Sequence, residues 1–391
     1  MKHLLPLLLL IAGVGCTSKP TSDFRLEGKL HGVVGQGKAY LFPVGSAGFN
    51  AYEAKIDTTG RFVFNGQLPH PDAYELRVEV NDSSARLIVC VDFFYLEPGR
   101  LTYRARVRGS DAVEDEAEEA LCGTLTGSAT EDLYQSLCAR LAPIERLAHQ
   151  ASERLQALHH NGAPDVATCP TEASRLQRQL DSLQRTRCRL VLDFVHGHAS
   201  SIVALDEACH LLTEAQVTRA MVDSLIAWLA PHWNDRSAYN DFDRPAQVKR
   251  NTTVGGNFPN HAFIDLQGDT VWLHNLLPPM RHSLIVFLSP SYNGSTNKQA
   301  RLERWARLYP QLNLIVIAPT ETIGHSSARP TSRKQPWTQL EHPHTIGHDL
   351  ADVYGLVHTP AYFLLAPNGC VLAHEVQSDS LEQALQRLYA R

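Results

Sequence analysis

Eight cysteines are the residues of this 391-residue chain best equipped for chemistry: Cys16, Cys90, Cys122, Cys138, Cys169, Cys188, Cys209 and Cys370. No two of them form a Cys-x-x-Cys, so neither a zinc knuckle nor a dithiol of that spacing is encoded. The histidines gather in Glu341-His342-Pro343-His344-Thr345-Ile346-Gly347-His348-Asp349. His344 and His348 would share a helix face with Asp349 or Glu341 nearby, but Pro343 and Gly347 interrupt any such helix, and no metal is expected. Another stretch reads as strand, tight loop and helix N-terminus. Ile285-Val286-Phe287-Leu288 is a continuous apolar run, broken at Pro290 and Gly294, and Leu302, Trp305, Ala306 and Tyr309 then fall on one helical stripe. Thr296 and Gln299 suit a capping box at that helix start. A thiol at such a helix N-terminus would be acidified into a nucleophile. The loop instead carries Tyr292 and Ser295, and no cysteine lies between Phe287 and Trp305. A phenol with an ordinary pKa of about 10 and an alcohol cannot exchange disulfides.

The elements that must hold this loop come from a chain too long for a single ordinary core. Hydrophobic residues at 43% and charged residues at 20% fit a folded soluble body, and the net charge of -5 gives no reason to expect nucleic acid as a partner. From Phe24 the pattern is strand-like. Phe24, Leu26 and Leu30 alternate, and Lys38–Phe42, Ala51–Ile56, Phe62–Phe64, Tyr74–Val80 and Leu87–Tyr95 follow with Gly and Asp turns between them. That is the pattern of an antiparallel β-sandwich over 23–112. From Glu114 helical spacing takes over. Leu133, Leu137, Leu141, Ile144, Ala148, Ala151, Leu155 and Leu158 form one stripe; Leu176, Leu180, Leu183, Leu190 and Phe194 form another, with Asn161-Gly162-Ala163-Pro164 as the turn. A third helix is expected over Glu214–Leu229, capped by Thr213 and Gln216. These segments make a helical linker domain over 113–250, by default a connector and alternatively an arm for assembly.

Gly255, Gly256 and Pro259 mark a boundary, after which 251–391 reads as α/β. His261–Gly268 and Thr270–Leu273 make a hairpin, Leu312–Ala318 is a second buried strand, and Pro319–Pro343 is expected as a loop. Tyr354-Gly355-Leu356-Val357-His358-Thr359-Pro360 precedes a strand at Ala361–Ala366, a turn at Pro367-Asn368-Gly369, a strand at Cys370–Ala373 and a closing helix from Ser380. With the strand, loop and helix at 285–309, these marks resemble the TlpA-like branch of the thioredoxin superfamily, the thiol–disulfide oxidoreductases of bacterial envelopes. The resemblance covers about the last third of the chain. It places the family's two redox cysteines on Tyr292 and Ser295, its cis proline on Pro360, and the residue whose backbone pairs with a substrate peptide on Thr359. The 23–112 block, through Gly28, Asp57–Phe64, Gly66 and Phe94–Gly99, is similar to the small β-domain that precedes such domains in Gram-negative lipoproteins.

The N-terminus extends the resemblance. Met1-Lys2-His3 is basic, Leu4–Ile11 is a short apolar run, and Ala12-Gly13-Val14-Gly15-Cys16 is similar to a lipoprotein signal over 1–16 that would leave Cys16 as the lipidated residue. Gly13 departs from the large aliphatic usual there. The resemblance implies a membrane partner through an anchor on Cys16, and Thr17 is compatible with the periplasmic face of the outer membrane. The expected fold class is therefore an α/β thioredoxin-like C-terminal domain plus an N-terminal antiparallel β-sandwich and an α-helical middle region. The expected function is a redox-inactive envelope lipoprotein that binds a peptide or protein, without catalytic residues, metal or cofactor. The alternative is a thiol–disulfide oxidoreductase using cysteines elsewhere, such as a pair in the helical region. Cys370 does not fill that role: it lies past the hairpin turn, roughly 20 Å along the strand from Pro360.

Overall fold

The computed structural model describes residues 22–44, 52–81, 87–107, 119–121, 123–160, 170–233, 237–288, 296–319, 335–342, 350–356, 359–375 and 378–389. The chain forms two compact units that part between Arg140 and Leu141.

The first unit is an antiparallel β-sandwich followed by the start of a long helix. Its strands are β1 (Asp23–His31), β2 (Val34–Pro43), β3 (Tyr52–Ile56), β4 (Arg61–Gln67), β5 (Asp72–Asn81), β6 (Leu87–Leu96), β7 (Gly99–Arg106), β8 (Glu119–Ala120) and β9 (Gly123–Thr126). They make one sheet in the order β4-β1-β7-β9 and another in the order β3-β2-β5-β6-β8. Most pairs are antiparallel; β1–β7 and β6–β8 run parallel. Alternation drives the packing: Phe24, Leu26 and Leu30 of β1, Phe62 and Phe64 of β4, and Leu76 and Val78 of β5 point into one shared core. Gly28 is required there, because a Cβ would lie 1.9 Å from the Phe62 ring. Helix α1 (Ala129–His160) is capped from the sandwich. The Glu97 carboxylate accepts from the backbone N–H groups of Ala129 and Thr130, and the Ser128 hydroxyl accepts from Glu131 N–H.

The second unit contains α2 (Pro170–Gly197), α3 (Ile202–Thr213), α4 (Arg219–Trp233) and α5 (Tyr239–Thr252) ahead of a seven-stranded sheet. The expected helix at Glu214–Leu229 is displaced: residues 214–218 are a turn, and α4 starts at Arg219. Helices α3 and α5 escape the periodicity for different reasons. Ile202, Val203, Ala204, Leu205, Ala208, Leu211 and Leu212 of α3 are all buried, so no polar stripe marks it. Helix α5 is polar and carries Pro245. Gly255 and Gly256, expected as part of a domain boundary, add an edge to the sheet: Gly255 N–H donates to Val371 O at 2.8 Å and Val371 N–H to Gly256 O at 2.9 Å.

The sheet comprises β10 (Ala262–Asp265), β11 (Thr270–Trp272), β12 (Ser283–Phe287), β13 (Asn313–Pro319), β14 (Thr338–His342), β15 (Ala361–Leu365) and β16 (Val371–Glu375), in the order β11-β10-β14-β13-β12-β15-β16. Strand β14 corrects the expected 319–343 loop at its end. Gln339 and Glu341 make it look polar, while Leu340 and His342 are buried. Helix α6 (Thr296–Leu308) connects β12 to its parallel neighbour β13, α7 (Leu350–Tyr354) precedes β15, and α8 (Ser378–Tyr389) closes the chain. One sheet face packs Leu302, Trp305, Leu381 and Leu385; the other packs Phe258, Phe263, Leu273 and Tyr354.

Candidate functional site at the end of the C-terminal sheet

Strand β12 is buried at every position, and so is β15. Two-sided burial leaves only the strand ends for contact with a ligand. The register pairs Phe287 with Ala361, so the C-terminal end of β12 meets the N-terminal end of β15. The peptide bond between Thr359 and Pro360 is cis and sits at that end. Thr359 is exposed and Pro360 half-buried, immediately past the last rung of the β12–β15 ladder. Positions 292 and 295 fall in the connection from β12 to α6, outside the described residues, as do His344, His348, Asp349 and Cys16.

Two aromatic groups hold this end of the sheet from opposite faces. On one, Tyr354 stacks on Phe258 at 4.9 Å between ring centroids and touches Phe287 at the same distance. Its hydroxyl donates to Pro259 O at 3.3 Å, and burial pushes its ionisation far above the ordinary phenol range. On the other, Trp305 of α6 meets Tyr362 edge-on at 5.5 Å, with the Arg301 guanidinium 5.9 Å from the indole. Burial raises the Tyr362 pKa, and the nearby Arg301 opposes the shift. Tyr354 and Tyr362 are thereby held as neutral packing elements. Sequence reasoning missed the pairing of Trp305 with Tyr362, although alternation from Pro360 would have put Tyr362 on the helix-covered face.

That sheet order, with its β12-α6-β13 crossover and its closing β15-β16 hairpin and helix, is thioredoxin-like. Several solved structures show distant and partial likeness. The thioredoxin domain of a thiol-disulfide oxidoreductase from Bacteroides vulgatus is 17% identical, over 35% of this chain and 97% of that one, with a TM-score of 0.27. A thiol-disulfide oxidoreductase from Bacteroides fragilis is 20% identical over 34% and 98%, with a TM-score of 0.28. A thioredoxin-like protein from Bacteroides caccae is 13% identical over 57% and 86%, with a TM-score of 0.38. No family model and no curated protein matches the chain.

The thiols that can be placed lie elsewhere. Leu365 pairs with Val371, so Cys370 stands at the opposite end of β15 from Ala361, a strand length of about 16 Å away. Cys188 of α2 and Cys209 of α3 are free. Burial and the neighbouring Glu214 raise the Cys188 thiol, and burial with Asp206 and Asp241 pushes Cys209 up to about 12. Thiols held protonated at neutral pH are poor nucleophiles. Among the described residues no group of three or more His, Cys, Asp and Glu side chains is arranged to hold a metal ion.

Proposed function

We propose that this chain is a lipid-anchored protein of the bacterial envelope whose thioredoxin-like domain does no redox chemistry and holds an extended peptide segment beside Pro360. The observation that supports the binding part of this reading is the exposed Thr359 at the sheet end, just past the last rung of the β12–β15 ladder, where an added strand would pair. The connection that would carry a dithiol in an oxidoreductase holds Tyr292 and Ser295. Lipidation is assigned to Cys16 and peptide recognition to Thr359 and Pro360.

Two measurements test it. Insulin with dithiothreitol, against a thioredoxin control, reads the redox half; the chain is expected to leave the uncatalysed rate unchanged, and thiol-dependent turnover would refute inactivity. Calorimetric titration with reduced, carboxymethylated lactalbumin, an unfolded polypeptide, reads the binding half. Binding is expected for the native chain and is lost in Thr359→Pro, which removes a backbone donor. Equal binding by both would move the site away from Pro360.

A further inference from the structure

Alternation in β1, β4 and β7 turns one row of side chains inward and the other outward, and the outward row is strongly basic. Arg25, Lys29, Arg61, Arg100, Arg104 and Arg106 stand on that face, with Asp23 and Glu27 as its only carboxylates among the described residues. The strand register gathers them. Lys29 lies between Arg61 on one neighbouring strand and Arg104 on the other; Arg25 pairs with Arg100, and His31 with Arg106. Adjacent strands are about 4.8 Å apart, so these cations form a compact patch. Part of this charge is offset, since Glu27 also lies within electrostatic reach of Arg61 and Arg100, and Asp57 of Lys29. Glu27 pairs with Arg25 at 2.8 Å, and that hydrogen bond holds its carboxyl below the usual range. Asp23 accepts from Gln67, and Lys29 donates to the Thr59 carbonyl. Among the described residues Arg61, Arg100, Arg104 and Arg106 make no ion pair.

Like charges set directly opposite each other destabilise a sheet. Here such a row sits on a protein whose net charge is -5. We infer that the outer face of the β4-β1-β7 sheet is a docking surface for the anionic phospholipid headgroups of a membrane. Two features select that occupant. The patch is displayed on adjacent strands of one sheet face, which suits a layer of phosphates, and guanidinium groups bind phosphate through paired hydrogen bonds. Strand β1 also begins seven residues after Cys16, within about 25 Å of it even fully extended. The choice of a membrane over another polyanion therefore leans on the proposed lipid anchor, which would hold this face close to headgroups. Over a Debye length of about 8 Å the local positive charge, and not the net negative charge of the chain, governs the contact.

The test uses the full chain with Cys16→Ser, so that no acyl chain contributes, and vesicles of phosphatidylcholine with or without phosphatidylglycerol. Co-sedimentation is expected only with the anionic vesicles, and salt of about 0.5 M should release the protein. Each basic residue near an anionic surface is worth about fivefold in partitioning. The variant Arg61→Gln, Arg100→Gln, Arg104→Gln, Arg106→Gln should therefore lose about six hundredfold. A comparator removes the same charge from the exposed arginines of α2, as Arg175→Gln, Arg178→Gln, Arg185→Gln, Arg189→Gln, and should bind as the parent does. Equal binding to neutral vesicles, or loss only in the α2 comparator, would overturn the inference. So would capture of soluble polyglutamate without binding to either vesicle, which would assign the face to an acidic polypeptide. Thermal melting confirms that each variant folds, and the single Arg106→Gln with the salt titration decides the matter if the fourfold variant does not. Acylation of Cys16 in the native chain is read separately by mass, so either reading can fail alone.

Discussion

In the C-terminal sheet β12 and β15 are buried at every position, whereas β1, β4 and β7 of the sandwich bury only alternate side chains. A strand covered on both faces has no surface of its own, so the proposed peptide site is at its end, where Thr359 and Pro360 lie. A strand covered on one face keeps a full row of side chains in water, and in β1 and β7 that row has become a field of cations. The same polymer geometry thus confines the proposed peptide site to a point in one region and spreads the proposed headgroup surface over an area in the other.

The contrast is broken most readily by truncating side chains on each side of it. Phe263 is fully buried in the aromatic group under the C-terminal sheet, so Phe263→Ala should cost about 3–5 kcal/mol in denaturant unfolding. Val63, 39% exposed on the outer face of β4, should lose less than about 0.5 kcal/mol as Val63→Ala. Similar losses at both positions would erase the distinction.

Acid should act on the C-terminal region through His374. Its ring packs on Phe363 at 4.9 Å, and burial, with the Lys249 ammonium of α5 adding to it, lowers its pKa from 6.5 to about 4. The folded state favours the neutral imidazole. Its contribution is therefore intact above the unfolded value of 6.5 and is lost as pH falls towards 4, by roughly 3 kcal/mol in total. Stability measured between these pH values should fall less steeply in His374→Gln. An unchanged slope would show that the imidazole is not held neutral.

Smaller effects sharpen the sandwich side. Gly28→Ala drives a methyl group into the Phe62 ring and should cost about 1–3 kcal/mol, whereas an outward change on the same strand should not. Arg104→Thr relieves Lys29 of one like-charged neighbour and should raise stability by about 0.2–1 kcal/mol. A loss on Arg104→Thr would mean that the outer row supports the sheet instead of straining it.

Much of this was legible in the residues. Continuous apolar runs marked β12, β13 and β15, and strict alternation marked β1 and β5, because those patterns follow directly from two-sided and one-sided burial. The cis bond at Pro360 was anticipated from the family resemblance. What stayed hidden depends on partners distant in sequence. Helix α3 has no polar stripe because α2 and α5 cover it, and β14 reads as polar because only Leu340 and His342 turn inward. The basic face has ordinary alternating residues in each strand alone. It becomes a patch only when the register sets Lys29 between Arg61 and Arg104, and a parallel β1–β7 pair is not written in either strand.

A thioredoxin-like frame persists in the C-terminal sheet, and the proposed function has its electron-carrying pair replaced. Its most direct test is to restore the pair as Tyr292→Cys with Ser295→Cys and follow insulin reduction by dithiothreitol beside the native chain. Background rates are expected for the native chain and clear thiol-dependent turnover for the double variant, because the β12-α6-β13 frame is already in place. Turnover by the native chain, or none by a folded double variant, would contradict the proposed function.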